Sequence, residues 1–181
     1  GEKLPSCVED FLKKYAKEKG KRFDFIDAIE YGVEYDRRKV ELIGNNIRAI
    51  SGIKTLIEEF KKQRCRVFIC SGMSRQPLIS MIKKIGLDEE LFDGIHGSPS
   101  AHEDPVMTKE EFIIAKLRKL KIPPACAIMV GDTIIDMQAA QQAGVLAIGR
   151  TEIDENASRL RQAGAALVLQ DYNEDPSQLI L

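Results

Sequence analysis

The stretch that most constrains this chain runs from Ala127 to Gly144, AIMVGDTIIDMQAAQQAG. Ala127 to Val130 is an apolar run long enough for a buried parallel strand. Gly131 breaks it, and after Asp132 and Asp136 a helical pattern continues to Gly144. Two acids therefore stand where a strand hands over to a helix. In open parallel sheets, ligands bind in the crevice beyond the carboxyl ends of the strands, which makes both carboxylates candidates for holding a cation. The same two residues also fit a simpler role, with Asp132 capping the helix and Asp136 favouring its first turn. Spacing alone leaves both readings open.

The rest of the chain after Gly52 repeats this alternation. Leu56, Ile57 and Phe60 give a helix, and Val67 to Cys70 a short buried strand that ends at Ser71-Gly72. Ser74 then caps a helix carrying Leu78, Met81, Ile82 and Ile85 inward as far as Gly86. Leu91 to Gly97 reads as a strand. Thr108 and Glu111 have the spacing of a capping box, opening a helix through Phe112, Ile113 and Leu117 that Pro123-Pro124 closes. Val145 to Ile148 and Ala166 to Leu169 read as further strands around a helix from Asn156 to Ala163. Alternation of this kind predicts an α/β fold, a doubly wound parallel, Rossmann-like sheet with right-handed crossovers.

Residues 1–50 differ in texture. Val8, Phe11, Leu12 and Tyr15 share one helix face, with lysines on the other; Phe25, Ile26 and Ile29, then Val40, Ile43 and Ile47, supply two more amphipathic segments. Gly32 and the charged stretch Glu34 to Lys39 are expected to separate them. The predicted organisation is a small helical unit over 1–50 and an α/β core over 51–181.

At 181 residues and 44% hydrophobic content, the chain can bury one good core. Its charged residues, 30% of the total, nearly cancel to a net charge of -1, which gives no bulk electrostatic case for nucleic acid or an acidic membrane surface. No apolar run approaches the roughly 20 residues a bilayer span needs, and the polar amino terminus lacks the core of a signal peptide. Cys7, Cys65, Cys70 and Cys126 form no CxxC pair and read as reduced thiols, so the expected location is the cytoplasm. His96 and His102 have no third ligand at metal spacing and are assigned surface or turn roles.

In a parallel sheet, Ser71, Lys109, Asp132 and Asp136 would all project toward one edge. A hydroxyl with neighbouring N–H groups, an ammonium and two cation-binding carboxylates together suit a phosphoryl group. The order of these residues, an apolar strand before Ser71-Gly72, Lys109 at the start of a helix, and GDTIID at Gly131 to Asp136, resembles motifs two, three and four of the haloacid dehalogenase superfamily. The resemblance runs from about Gly52 to the carboxyl terminus, and GDxxxD with the later Ala143-Gly144-Val145 turn is its most specific part. Leu4 to Ile50 is similar in length and helicity to the cap of the phosphoglycolate phosphatase-like branch. The resemblance implies that Ser71 and Gly72 bind the substrate phosphate, that Lys109 steadies phosphate and nucleophile, and that Asp132 binds Mg2+ with support from Asp136. It implies hydrolysis of a small phosphorylated metabolite through an aspartyl-phosphate, with the cap closing over the substrate.

One motif of that family is not found. Its members begin with an apolar strand ending in DxD, where the first Asp attacks phosphorus. The nearest string here is Phe23-Asp24-Phe25-Ile26-Asp27, whose carboxylates are three apart and whose preceding segment is too charged for a central strand. In that family the strand lies between those ending at Ser71 and Asp132, so its loss leaves two inner edges to satisfy. Direct pairing of the two strands, a strand from a neighbouring molecule, or a segment preceding Gly1 in a longer protein would each do so. The last is the expectation, and with it comes the expectation that this chain alone turns over little substrate. The alternative function is a non-catalytic module that binds a phosphate ligand or a protein on the same scaffold.

Overall fold

The computed structural model describes residues 13–14, 16–18, 20, 28–43, 46–98 and 107–173. In chain order these give helix α1 (Ala28–Ile43), α2 (Ile53–Lys62), strand β1 (Phe68–Ser74), α3 (Arg75–Lys84), β2 (Gly94–Ser98), α4 (Lys109–Leu120), β3 (Ile128–Gly131), α5 (Ile134–Ala143), β4 (Leu146–Arg150), α6 (Asp154–Gln162) and β5 (Leu167–Leu169). Every strand pairing is parallel: β1 with β2, β3 with β4, and β4 with β5. The alternation read from the sequence is therefore an α/β fold wound with parallel strands.

Those strands form two sheets, β1-β2 and β3-β4-β5, and among the described residues no ladder joins β1 to β3. Direct pairing of these two strands, one of the three ways to satisfy the inner edges, is thus not adopted. Two helices hold the sheets side by side instead. On one face, Leu56 and Phe60 of α2 pack with Ile128, Val130, Ile148 and Leu169, while Ile53 and Ile57 of the same helix pack with Ile69, Ile95, Leu78 and Ile82. On the other, Ile113, Ile114 and Leu117 of α4 join Met129, Met137 and Ala147. There Phe112 meets Phe68 edge-on at 6.4 Å and stacks on His96 at 4.6 Å, with the Lys116 ammonium over both phenyl rings. Full burial of a side chain such as Leu56 or Ile57 contributes about 1.5–3 kcal/mol, and here each contribution ties one sheet to the shared helix.

His96, expected at the surface or in a turn, is instead half-buried in β2, and three further local expectations change. Gly32 and Glu34 to Lys39 do not interrupt the chain, because α1 runs through them as one helix. Arg37 lies 2.7 Å and Arg38 2.8 Å from Glu34, and Arg37 also pairs with Glu41, so the charged stretch is stitched at helical spacing. The Arg37 hydrogen bond, helped by Arg38 against a burial effect, holds the Glu34 carboxyl near a pKa of about 2. Second, β1 continues beyond Cys70 to Ser74, with its register against β2 broken between those two residues. Third, Ser74 precedes α3 without a side-chain cap bond; its N–H donates at 2.6 Å to Asp36 of α1. With Val40 buried and its carbonyl accepting from Lys84, this bond docks α1 on the core. Val8, Phe11, Leu12, Tyr15, Asp24, Asp27 and His102 lie outside the described residues.

Candidate active site

The site begins with backbone that has room for nothing else. A Cβ on Gly131 would stand 2.3 Å from Cβ of Asp136, so glycine at the end of β3 lets the Asp136 side chain fold back beneath the turn. The residue capping α5 is Thr133, so of the two readings left open for Asp132 the capping one falls to its neighbour. The Asp136 N–H donates to Thr133 Oγ1 at 3.2 Å, and Asp136 Oδ2 accepts from the Thr133 hydroxyl at 2.7 Å and the Thr133 N–H at 3.1 Å. The Asp132 N–H adds a bond at 3.2 Å. The T-x-x-D spacing of Thr133 and Asp136 is the signal that could have identified this cap, one that weighing Asp132 alone misses.

Lys109 completes the arrangement from α4. Thr108 and Glu111 form the expected capping box, which fixes Lys109 in the first turn. Its ammonium donates to Asp136 Oδ1, tying the start of α4 to the turn after β3. Asp136 is only 2% exposed. Burial pushes its carboxyl up, but Lys109 and the Thr133 bonds outweigh burial and hold it below its ordinary value. Asp136 is therefore a buried carboxylate with both oxygens engaged. Asp132, freed from capping, is exposed and takes part in no side-chain hydrogen bond or ion pair with the described residues.

Ser71 and Gly72 lie in the irregular part of β1. The Ser71 hydroxyl accepts from the Met73 N–H at 3.1 Å, and Gly72 is exposed with open space where a side chain would project. Cys70, just before them, reports how near the two sheets come at this end. Its thiol is pushed up to about 11, chiefly by burial, with Asp136 adding to the rise and Lys109 opposing it. A protonated thiol is no nucleophile, so Cys70 is packing beside the site.

Among the described residues no three His, Cys, Asp or Glu side chains are grouped to hold a metal. The donor set nevertheless fits Mg2+, which commonly takes one or two carboxylates and completes its shell with water and phosphate oxygens. Asp132 is one such carboxylate, and the engaged oxygens of Asp136 orient the turn that presents it.

The sequence profile of haloacid dehalogenase-like hydrolases matches residues 2–149. The chain belongs to the haloacid dehalogenase-like hydrolase family. Solved structures share its fold. A predicted phosphatase from Clostridium acetobutylicum is 24% identical with a TM-score of 0.64, over 99% of this chain and 82% of its own. A predicted phosphoglycolate phosphatase from Haemophilus somnus is 20% identical with a TM-score of 0.62, over 91% and 72%. CbbY from Rhodobacter sphaeroides, in complex with xylulose-1,5-bisphosphate, is 19% identical with a TM-score of 0.66, over 92% and 76%. No curated protein matches the chain. Two of these structural neighbours of the haloacid dehalogenase-like chain are thus predicted phosphatases.

Proposed function

We propose that this haloacid dehalogenase-like chain carries the phosphate- and magnesium-binding side of a phosphatase, or related hydrolase, of a small phosphorylated metabolite. The observation that supports the reading best is the Lys109–Asp136 pair fixed beside the free Asp132 carboxylate. In this reading Asp132 and the turn held by Asp136 hold Mg2+, which when bound offsets charge on the phosphoryl oxygens. The Ser71 hydroxyl and the open backbone at Gly72 bind the phosphate, and Lys109 steadies it with positive charge. Residues 1–50 form part of a cap that closes over the substrate. The sequence has no DxD string to supply the attacking Asp that would form the aspartyl-phosphate.

With magnesium, the 181-residue chain is expected to release little phosphate from p-nitrophenyl phosphate, and adding an amino-terminal strand that ends in DxD is expected to restore turnover. A folded extended protein with no turnover counts against the phosphatase reading. The separation of β1 from β3 among the described residues favours a second reading, a phosphate-binding module without catalysis. That reading requires inorganic phosphate with magnesium to raise the melting temperature in the absence of any turnover by the extended protein.

A further inference from the structure

Helix α1 lies against α3 and β1, yet much of its charge is turned on itself: Glu34 pairs with Arg37 and Arg38, and Arg37 with Glu41. Asp36 differs. Its carboxylate faces the core and accepts from the Ser74 N–H at 2.6 Å. Ser74 ends the irregular part of β1 that holds Ser71 and Gly72, and it precedes α3, a helix of ten residues. A backbone N–H at such a place is a natural seat for an anion, and here a carboxylate of the chain takes it. The docked arrangement carries a cost, because Ser74 is only 4% exposed and its hydroxyl makes no hydrogen bond with the described residues. The connection from α1 to α2 is pinned separately. The Tyr172 N–H donates to the Ser51 carbonyl at 3.0 Å, the Asn173 amide donates to the Ser51 hydroxyl at 2.9 Å, and a Cβ on Gly52, at φ 80°, would stand 2.3 Å from the Tyr172 carbonyl oxygen. Ser51-Gly52 is thus a fixed pivot, and α1 is held beyond it by its own contacts.

We propose that Asp36 is a latch that competes with phosphate: its carboxylate holds α1 down on the stretch 71–74, and a phosphate dianion bound at Ser71 and Gly72 drives it off. The inference rests on the phosphate-binding half of the proposed function. Three residues of chain span at most about 10 Å, so a phosphate at Ser71 and the Asp36 carboxylate at Ser74 stand within about one Debye length at 0.1 M salt. Like charges that close repel, and the weaker attachment yields. Asp36 holds one N–H of this stretch, whereas phosphate gathers the Ser71 hydroxyl, the open backbone at Gly72 and the charge of Lys109. Phosphate therefore prevails. The coupling is reciprocal, so docking of α1 weakens phosphate binding by the factor by which phosphate weakens docking. The docked helix belongs to the unliganded protein, and the cap closes over substrate only from the released position. Asp36 acts through the position of α1 and takes no part in the chemistry.

Hydrogen–deuterium exchange across α1 and calorimetric titration with inorganic phosphate, both on the 181-residue chain with magnesium chloride at low ionic strength, test this. In the parent protein, saturating phosphate should speed exchange in α1 about 3-fold or more, the size of a repulsion across this separation. That measurement needs no variant. Asp36→Asn keeps an acceptor for the Ser74 N–H but removes the charge, so it should bind phosphate tighter by a similar factor and lose the exchange response. Its advantage should vanish in about 1 M sodium chloride. Glu41→Gln removes a charge from an exposed position of the same helix and should behave as the parent. Phosphate binding that leaves α1 exchange unchanged or slows it overturns the latch alone, as does equal affinity of the parent and Asp36→Asn. Binding of phosphate by neither protein sinks the phosphate-binding reading and the latch together.

Discussion

Lys109 and Asp136 lie 27 positions apart in sequence and on two different helices, yet Lys109 helps to hold the Asp136 carboxyl in its charged form. The carboxylate is nearly out of solvent, so removing its cationic partner leaves a buried charge with only the Thr133 and Asp132 donors. Lys109→Met is expected to cost about 1–3 kcal/mol of stability near neutral pH, read by denaturant unfolding. The pH dependence follows in sign. Because the folded carboxyl titrates below its ordinary value, its contribution is complete above the unfolded pKa and is lost as pH falls through the lower folded one. Lys109→Met should therefore flatten the acid limb of the stability curve. Asp93 behaves alike at the opposite end of β1. Burial raises its carboxyl, but the Val67 N–H, Lys61 and Arg66 together bring it to about 2. Asp93→Asn is expected to remove stability that the parent protein loses only between the unfolded value, near 3.8, and about 2. Thiol chemistry gives an independent check on the site. Cys126 is exposed and Cys70 is half-buried with its thiol held at about 11, so iodoacetamide should modify Cys126 well before Cys70.

At the scale of elements, α5 owes its start to Thr133 and its close approach to β3 to Gly131. Thr133→Ala is expected to cost about 0.5–2 kcal/mol in thermal or denaturant unfolding, the usual worth of a cap. Gly131→Ala forces a methyl group against a buried side chain and is expected to cost about 1–3 kcal/mol. The sequence marked the strand-acid-helix unit because apolar run, glycine, acid and helical period all change within a few residues there. It marked the Thr108 and Glu111 box for the same reason. It did not reveal that α1 is continuous, because Glu34, Arg37, Arg38 and Glu41 look like a solvated linker until their helical spacing turns them into ion pairs. Nor did it reveal the extension of β1 past Ser71-Gly72, since a bulge leaves no period to read.

At the scale of the molecule, the two sheets share α2 on one face and α4 on the other, so cooperativity between them depends on those helices. Leu56→Ala and Ile57→Ala are each expected to cost about 2–5 kcal/mol, the first loosening the β3-β4-β5 side and the second the β1-β2 side. No described helix is long and apolar enough to cross a membrane. The separation of β1 from β3 has a further consequence in the time domain. Successive residues of a strand direct their N–H groups to opposite sides, so every second amide of β1 and β3 is aimed at the other sheet rather than at β2 or β4. In deuterium oxide those amides should trade their protons early while alternate ones persist, whereas β4, flanked on both sides, should be protected along its length. The molecule would then label as stripes, and slow exchange along the full lengths of β1 and β3 would reveal that another strand has taken its seat between them.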